Sequence, residues 1–304
     1  MSPARPHHHG LALLVLLVLL GACSTFGVTA TVARARASAR TSDNPFASAA
    51  LRTWLAGRQG RVTAAVYDIQ TGQEYLYKPQ YAMKTASTVK VDILATALHL
   101  AQMGHHPLPA NEATAAVPMI TQSDNNAASA LYHDVGGWST IGPFDRSIGM
   151  TRTTPNPEGY FGETFTTAAD QITLLKQIML PGGELSAASR RYEYELMRHV
   201  IPSQRWGITG GVPVSARVAI KNGWLPEATG WHVNSIGRVQ GNDRNYLIAV
   251  YTEWDPSWAY GIDTIERIAA ASWRAMGVKR GASAHYYGPH PKPGRAPGSS
   301  AHGG

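Results

Sequence analysis

One cysteine in 304 residues, Cys23, leaves no partner for a disulfide within the chain and no thiolate set for a structural zinc. No apolar run approaches the roughly 20 residues that a membrane-spanning helix needs; the longest, Leu11 to Leu20, is about half that. Charge is sparse, at 15% Asp, Glu, Lys and Arg, and no block of five like charges occurs, so the net +7 is scattered rather than gathered into a nucleic-acid footprint. Arginines are prominent in the two tails, where they suit anionic envelope polymers or lipid headgroups. There is no internal repeat and no inner linker of low complexity. Histidines lack metal-ligand spacing: the His105-His106 pair has no accompanying acid or cysteine and reads as a loop, so no metal is expected.

The ends carry processing and tail signals. Residues 1 to 10 hold Arg5 and three histidines, the aliphatic run follows, and Leu20-Gly21-Ala22-Cys23 closes it. This is the layout of an export signal, and its end resembles the lipobox at which bacterial lipoproteins are cut and acylated on cysteine. The expectation is therefore a signal segment over 1–23 with lipidation at Cys23, a flexible linker over 24–45, a folded domain over 46–278 and a disordered tail over 279–304. The folded part lies outside the cytoplasm, lipid-anchored to the outer face of the cell membrane, or secreted if Cys23 is removed.

Within the domain, a helix is expected near 45–57, then a β-hairpin of 61–69 with 74–78 around Thr71-Gly72. Helices follow at about 85–103, 125–133, 138–147, 167–180 and 186–200, strands at 217–220, 232–239 and 246–252, and an amphipathic helix at 259–276. Terminal strands around a helical middle predict an α+β fold: one antiparallel sheet built from both chain ends and flanked by helices, with an all-helical lobe beside it.

Three short segments carry chemistry. In Ser87-Thr88-Val89-Lys90 a hydroxyl and an amine share one face of a first helical turn, the arrangement of a serine activated by a desolvated, neutral lysine. Ser123-Asp124-Asn125 lies at a loop or helix start, where a hydroxyl can relay a proton and the Asn125 amide can hold a carbonyl. The same triplet at Ser42-Asp43-Asn44 reads as a helix cap. Lys221-Asn222-Gly223-Trp224 ends an apolar strand, with a cation to draw a carboxylate and a glycine that permits close backbone approach.

Taken in this order, Ser-x-x-Lys, Ser-Asp-Asn and Lys-x-Gly resemble the signature elements of the class A β-lactamase and penicillin-binding serine hydrolases. The resemblance implies Ser87 as nucleophile, Lys90 as its activating base and Ser123 as proton shuttle to a leaving nitrogen. It implies Asn125, Lys221, Asn222 and Gly223 at the substrate, and the backbone amides of Ser87 and Trp224 as oxyanion hole. No cofactor is implied, and no nucleic acid; the partners are a small β-lactam or a peptidoglycan peptide, met by a monomer. Two departures stand out. Asn222 replaces the hydroxyl residue usual between lysine and glycine, and Arg152-Thr153-Thr154-Pro155 has threonine where class A enzymes carry the deacylating glutamate. Glu158, four residues on, is the preferred substitute, with Glu163 the other local acid.

These elements predict a β-lactamase-like serine hydrolase working through an acyl-enzyme. The alternatives are a D-alanyl-D-alanine peptidase, or a penicillin- or wall-fragment-binding lipoprotein with little turnover. His232 is expected to be structural, and Trp254, Trp258, Trp273 and Tyr260 to be packing rather than a binding platform.

Overall fold

The computed structural model describes residues 43–277. Cys23, the signal segment, the tail and all but the last three residues of the expected linker lie outside them. The chain opens with a 3-10 turn at Pro45–Ala47 capped by Asn44, whose Oδ1 accepts the Phe46 N–H at 2.9 Å, and continues as α1 (Ala49–Ala56), capped in turn by Ser48. Strands β1 (Arg61–Asp68) and β2 (Glu74–Tyr77) form the expected hairpin.

A two-residue strand β3 (Met83–Lys84) leads through a 3-10 turn, Ala86–Thr88, into α2 (Val89–Met103). Next come α3 (Ala110–Thr121), α4 (Asn125–Asp134), α5 (Trp138–Ile148), the short strand β4 (Phe165–Thr166), α6 (Ala168–Met179) and α7 (Ala187–Arg198). The chain returns as β5 (Arg217–Glu227), β6 (Gly230–Gly241) and β7 (Arg244–Asp255), and closes with α8 (Trp258–Ala275).

The main sheet is antiparallel with strand order β2-β1-β7-β6-β5, so the first and last parts of the domain meet where β1 pairs with β7, Ala65 opposite Ala249. The β6–β7 hairpin turns on Asn242 and Asp243 at φ 47° and 59°, the left-handed pair that matches strand twist. Because side chains alternate across a strand, the sheet feeds two cores. Ala65, Ala219, Ile236, Leu247 and Tyr251 face α2 and α6, whereas Val66, Ile220, Val233, Ile248 and Val250 face α1 and α8.

The architecture is the expected α+β one, with two differences of detail. Sequence periodicity does not reveal α3, because Pro118 interrupts it; proline removes one helical donor, but the helix runs on to Thr121. The Pro118 carbonyl then accepts from Gln122 at 3.0 Å and from Asp124 at 3.2 Å, which swings the chain into the Ser123 loop. Helix α2 is buried on nearly every side rather than amphipathic, enclosing Lys90, Asp92 and Thr96 with its apolar residues.

Candidate active site

Ser87 is the middle residue of the 3-10 turn at the head of α2, and four elements hold that turn. Asn234 of β6 donates to the carbonyls of Lys84 and Thr85 at 2.9 and 3.0 Å. The Thr85 N–H donates to the Thr164 carbonyl at 2.8 Å. Thr88 Oγ1 lies 2.7 Å from the Tyr251 hydroxyl of β7 and donates to the Thr85 carbonyl at 2.7 Å. From β5, Gly223 lies so near that a Cβ there would stand 2.8 Å from the Ser87 nitrogen and 2.8 Å from the Thr85 carbonyl oxygen. Only glycine fits, and its contact brings the Lys-x-Gly strand against the serine.

Ala86, immediately before the serine, has φ 45°, and Ser123 has φ 61°. Both are non-glycine residues in the left-handed region, which costs on the order of 1–3 kcal/mol each and persists only where the surroundings impose it. Both precede or carry one of the site's hydroxyls.

The Lys90 amine donates to the Ser123 carbonyl at 2.7 Å and to Asn125 Oδ1 at 2.6 Å, and lies 3.3 Å from Ser123 Oγ. The same hydroxyl accepts from Lys221 Nζ at 2.9 Å, and Lys221 also donates to the Asn222 carbonyl at 2.9 Å. Ser123 thus sits between two amines, both fully buried. Burial pulls Lys90 down to about 7 against the opposing pull of Asp124. Burial and then the Lys90 charge hold Lys221 well below the ordinary lysine range. The described hydrogen bonds of Lys90 all go to the Ser123–Asn125 loop, and none is to the Ser87 hydroxyl one turn earlier. Asp124 caps α4 by accepting the Ala127 N–H at 2.7 Å, which fixes the register of the Ser123 loop.

Two expected site residues are placed differently. The Asn222 side chain is fully buried and its amide donates to the carbonyls of Gln204 and Trp206 at 2.8 and 3.1 Å, so it secures the 204–206 segment rather than facing a substrate. Strand alternation is the reason: Asn222 points to the opposite face from Lys221. Glu158 is exposed; its described hydrogen bond is from its backbone N–H to Asn156 Oδ1, and its carboxylate is in no described contact with Ser87, Lys90 or Ser123.

Glu163 belongs to the Phe161–Glu163 turn, where its carboxylate accepts from Lys84 at 2.6 Å and from Asn156 at 3.3 Å. Lys84 also binds Glu227, and Glu227 lies 3.1 Å from buried His232, a structural placement for that histidine. Thr154 is exposed, with its backbone bridged to Phe165 in both directions at 2.9 Å. Asn234, Tyr251 and Lys84, which build the site, went unnoticed in the sequence, for a lone polar residue in an apolar strand carries no motif. Among the described residues no group of His, Cys, Asp and Glu is disposed to hold a metal ion.

The profile of the beta-lactamase enzyme family matches residues 47–111 and 113–276, nearly the whole described region. This chain belongs to that family. Its fold is shared by the class A β-lactamase reconstructed as the last common ancestor of Gram-negative bacteria, 26% identical, with a TM-score of 0.65 over 75% of this chain and 99% of that one. The TLA-1 extended-spectrum β-lactamase, at 17% identity and a TM-score of 0.69 over 76% and 98% of the two chains, shares the fold alone. The curated relatives include proteins of Mycobacterium tuberculosis and Mycobacterium bovis that carry the name lipoprotein LppW, 26% identical over 196 residues. The match spans 62% of this chain and 62% of theirs. No helix among the described residues of this β-lactamase-family protein is long and apolar enough to cross a membrane.

Proposed function

We propose that this chain is an exported serine hydrolase that opens a β-lactam or a related amide through an acyl-enzyme. Neutral Lys90 takes the Ser87 proton, the serine oxygen attacks the carbonyl, and the backbone amides of Ser87 and Trp224 receive the oxyanion, a contribution of roughly 3–4 kcal/mol for a well-placed donor. Ser123 passes a proton to the departing nitrogen, while Asn125 meets the substrate's carbonyl side and Lys221 pairs with its carboxylate, whose approach offsets the burial that disfavours the ammonium form. The observation that carries the reading is the Ser123 hydroxyl lying between two buried lysine amines, at 3.3 and 2.9 Å, beside the Ser87 turn.

The acyl-enzyme is expected to be long-lived. Thr154 cannot act as a carboxylate base, Glu158 is exposed, and Glu163 is held by Lys84. This favours, as second reading, a penicillin- or wall-fragment-binding lipoprotein with little turnover; a D-alanyl peptidase remains the other enzymatic form. Lipid attachment at Cys23 is part of the proposal, supported by the lipobox-like Leu20-Gly21-Ala22-Cys23 and by the lipoprotein name of the mycobacterial relatives.

Intact-mass spectrometry with a penicillin tests the reading. One adduct is expected on the wild type, persisting for many minutes, and none on Ser87→Ala. An unmodified wild type, or an adduct that survives Ser87→Ala, sinks the serine mechanism. Rapid loss of the adduct with hydrolysis of a cephalosporin points to a true lactamase, and release of D-alanine to a peptidase.

A further inference from the structure

A pocket of about 290 Å3 opens beside the first residues of β5, with none of Ser87, Lys90, Ser123 or Lys221 in its lining. Its walls mix apolar side chains, Pro202, Val212, Val214 and Val218 among them, with polar groups including Thr209, and Arg205 is the one charged residue lining it. The guanidinium donates to the Arg198 carbonyl at 3.0 Å and to the Val218 carbonyl at 2.9 Å. Five N–H groups form that fork, so three are left after these two bonds.

No described ion pair includes Arg205. The acid on the last turn of α7, Glu195, is bound by Arg198 at 3.0 Å, and His199 Nδ1 lies 4.0 Å from the same carboxylate. Burial, and then the Arg198 charge, lower the proton affinity of Arg205 below that of an ordinary arginine. Glu195 is thus taken up by Arg198, while Arg205, without a described counter-ion, lines this pocket. A half-buried guanidinium fork with donors to spare suits a carboxylate.

We propose that this pocket is a second binding site, for a small monocarboxylate with an apolar body: the acid group on the Arg205 fork, the body against Val212, Val214 and Val218. Its volume lies just below the range of drug-sized ligand sites, which limits the occupant to a compact aryl or short alkyl acid. A single cation with no further donor cluster suits a monoanion over a phosphate. The site is independent of Ser87 and holds whether or not the serine turns over.

Thermal shift and titration calorimetry on the full chain, with benzoate as probe and benzamide as its neutral counterpart, test this. Benzoate is expected to raise Tm saturably with a millimolar Kd that weakens with salt, and benzamide to leave Tm unchanged. Arg205→Met is expected to weaken benzoate at least tenfold, a charge-assisted hydrogen-bond pair being removed. Because Arg205 also ties two carbonyls, its loss can unfold the chain. Val214→Glu, at a residue 75% exposed, keeps the fold and sets a negative charge at the mouth, so it is expected to weaken benzoate severalfold. The proposal is overturned if benzoate gives no shift, if benzamide matches it, or if Val214→Glu binds benzoate like the wild type. Failure of the serine to acylate leaves these outcomes unaffected.

Discussion

Gly223 shows how tightly the site is built at the scale of one residue. An alanine methyl there would meet the Ser87 nitrogen and the Thr85 carbonyl oxygen at 2.8 Å each, and both are backbone atoms held by several elements. Strand and turn must separate, moving the Ser87 turn relative to β5. Gly223→Ala is expected to lower the rate of Ser87 acylation by about 100-fold, the scale of a 1 Å misplacement, with a stability loss of only about 1–3 kcal/mol. Stopped-flow acylation and thermal melting read the two effects separately; equal acylation rates would show that β5 does not set the geometry.

Lys90 makes a second prediction at this scale. Its lowered pKa of about 7, against 10.5 for an ordinary lysine, means that the amine is half neutral near that point and mostly neutral above it. Acylation is expected to rise with pH through about 7 and then level. Lys90→Arg, which stays charged, is expected to lower the rate by roughly 10²–10⁴-fold at every pH. A rate independent of pH between 5 and 9, about the range in which such a lysine titrates, would remove Lys90 as the base. The folded chain binds fewer protons than the unfolded one between about 7 and 10.5, so this lysine alone makes stability increase with pH across that window. That Lys90, Ser123, Asn125 and Lys221 are worth looking for together was legible because hydroxyl, amine and amide at short spacings form patterns, and the structure brings these four into contact. The face of Asn222 was not, since which side of a strand meets the substrate depends on the register of the whole sheet.

Among the elements, the helical lobe encloses a group that opposes Lys90. Asp92 of α2, Asp145 of α5 and Glu193 of α7 are all buried, and no described ion pair neutralises them. Burial raises all three above the ordinary carboxylate range. Asp92 and Asp145 interact directly, with Glu193 acting on Asp92 and Asp170 on Asp145, while the Arg146 charge pulls Asp145 the other way. Groups with raised folded-state pKa give stability that is complete below their unfolded values and is lost as pH rises through the folded ones. The lobe should therefore weaken from mildly acidic pH upward. Asp145→Asn keeps the shape and removes one ionisation; it is expected to flatten the alkaline fall in Tm, by about 1.4 kcal/mol for every tenfold by which folding had raised the proton affinity of that carboxyl. Parallel Tm curves for the two proteins would show that Asp145 does not titrate. Most helices here were visible from apolar spacing. Helix α3 was hidden by Pro118, and the two-residue strands β3 and β4 are too short to show any period.

For the whole molecule, one sheet serves two cores, and neighbouring residues of β7 divide between them. Leu247 faces α2 and α6 and Ile248 faces α1 and α8, both fully buried. The α+β design was readable because strands at both ends of the domain need each other's edges, which places the helical stretch between them. Such sharing predicts a single cooperative unfolding transition. Leu247→Ala and Ile248→Ala should each cost about 2–5 kcal/mol and lower one common Tm, as seen by far-ultraviolet circular dichroism and tryptophan fluorescence together. Separate midpoints after either change would mean that the two cores melt independently.

The Asp43 N–H donates to the Ala275 carbonyl at 3.2 Å, so the first described residue rests on the end of α8. Helix α8 lies against one face of the sheet and α2, which follows the Ser87 turn, against the other. The start of the described chain is therefore fastened on the α8 side of the sheet, across the strands from α2.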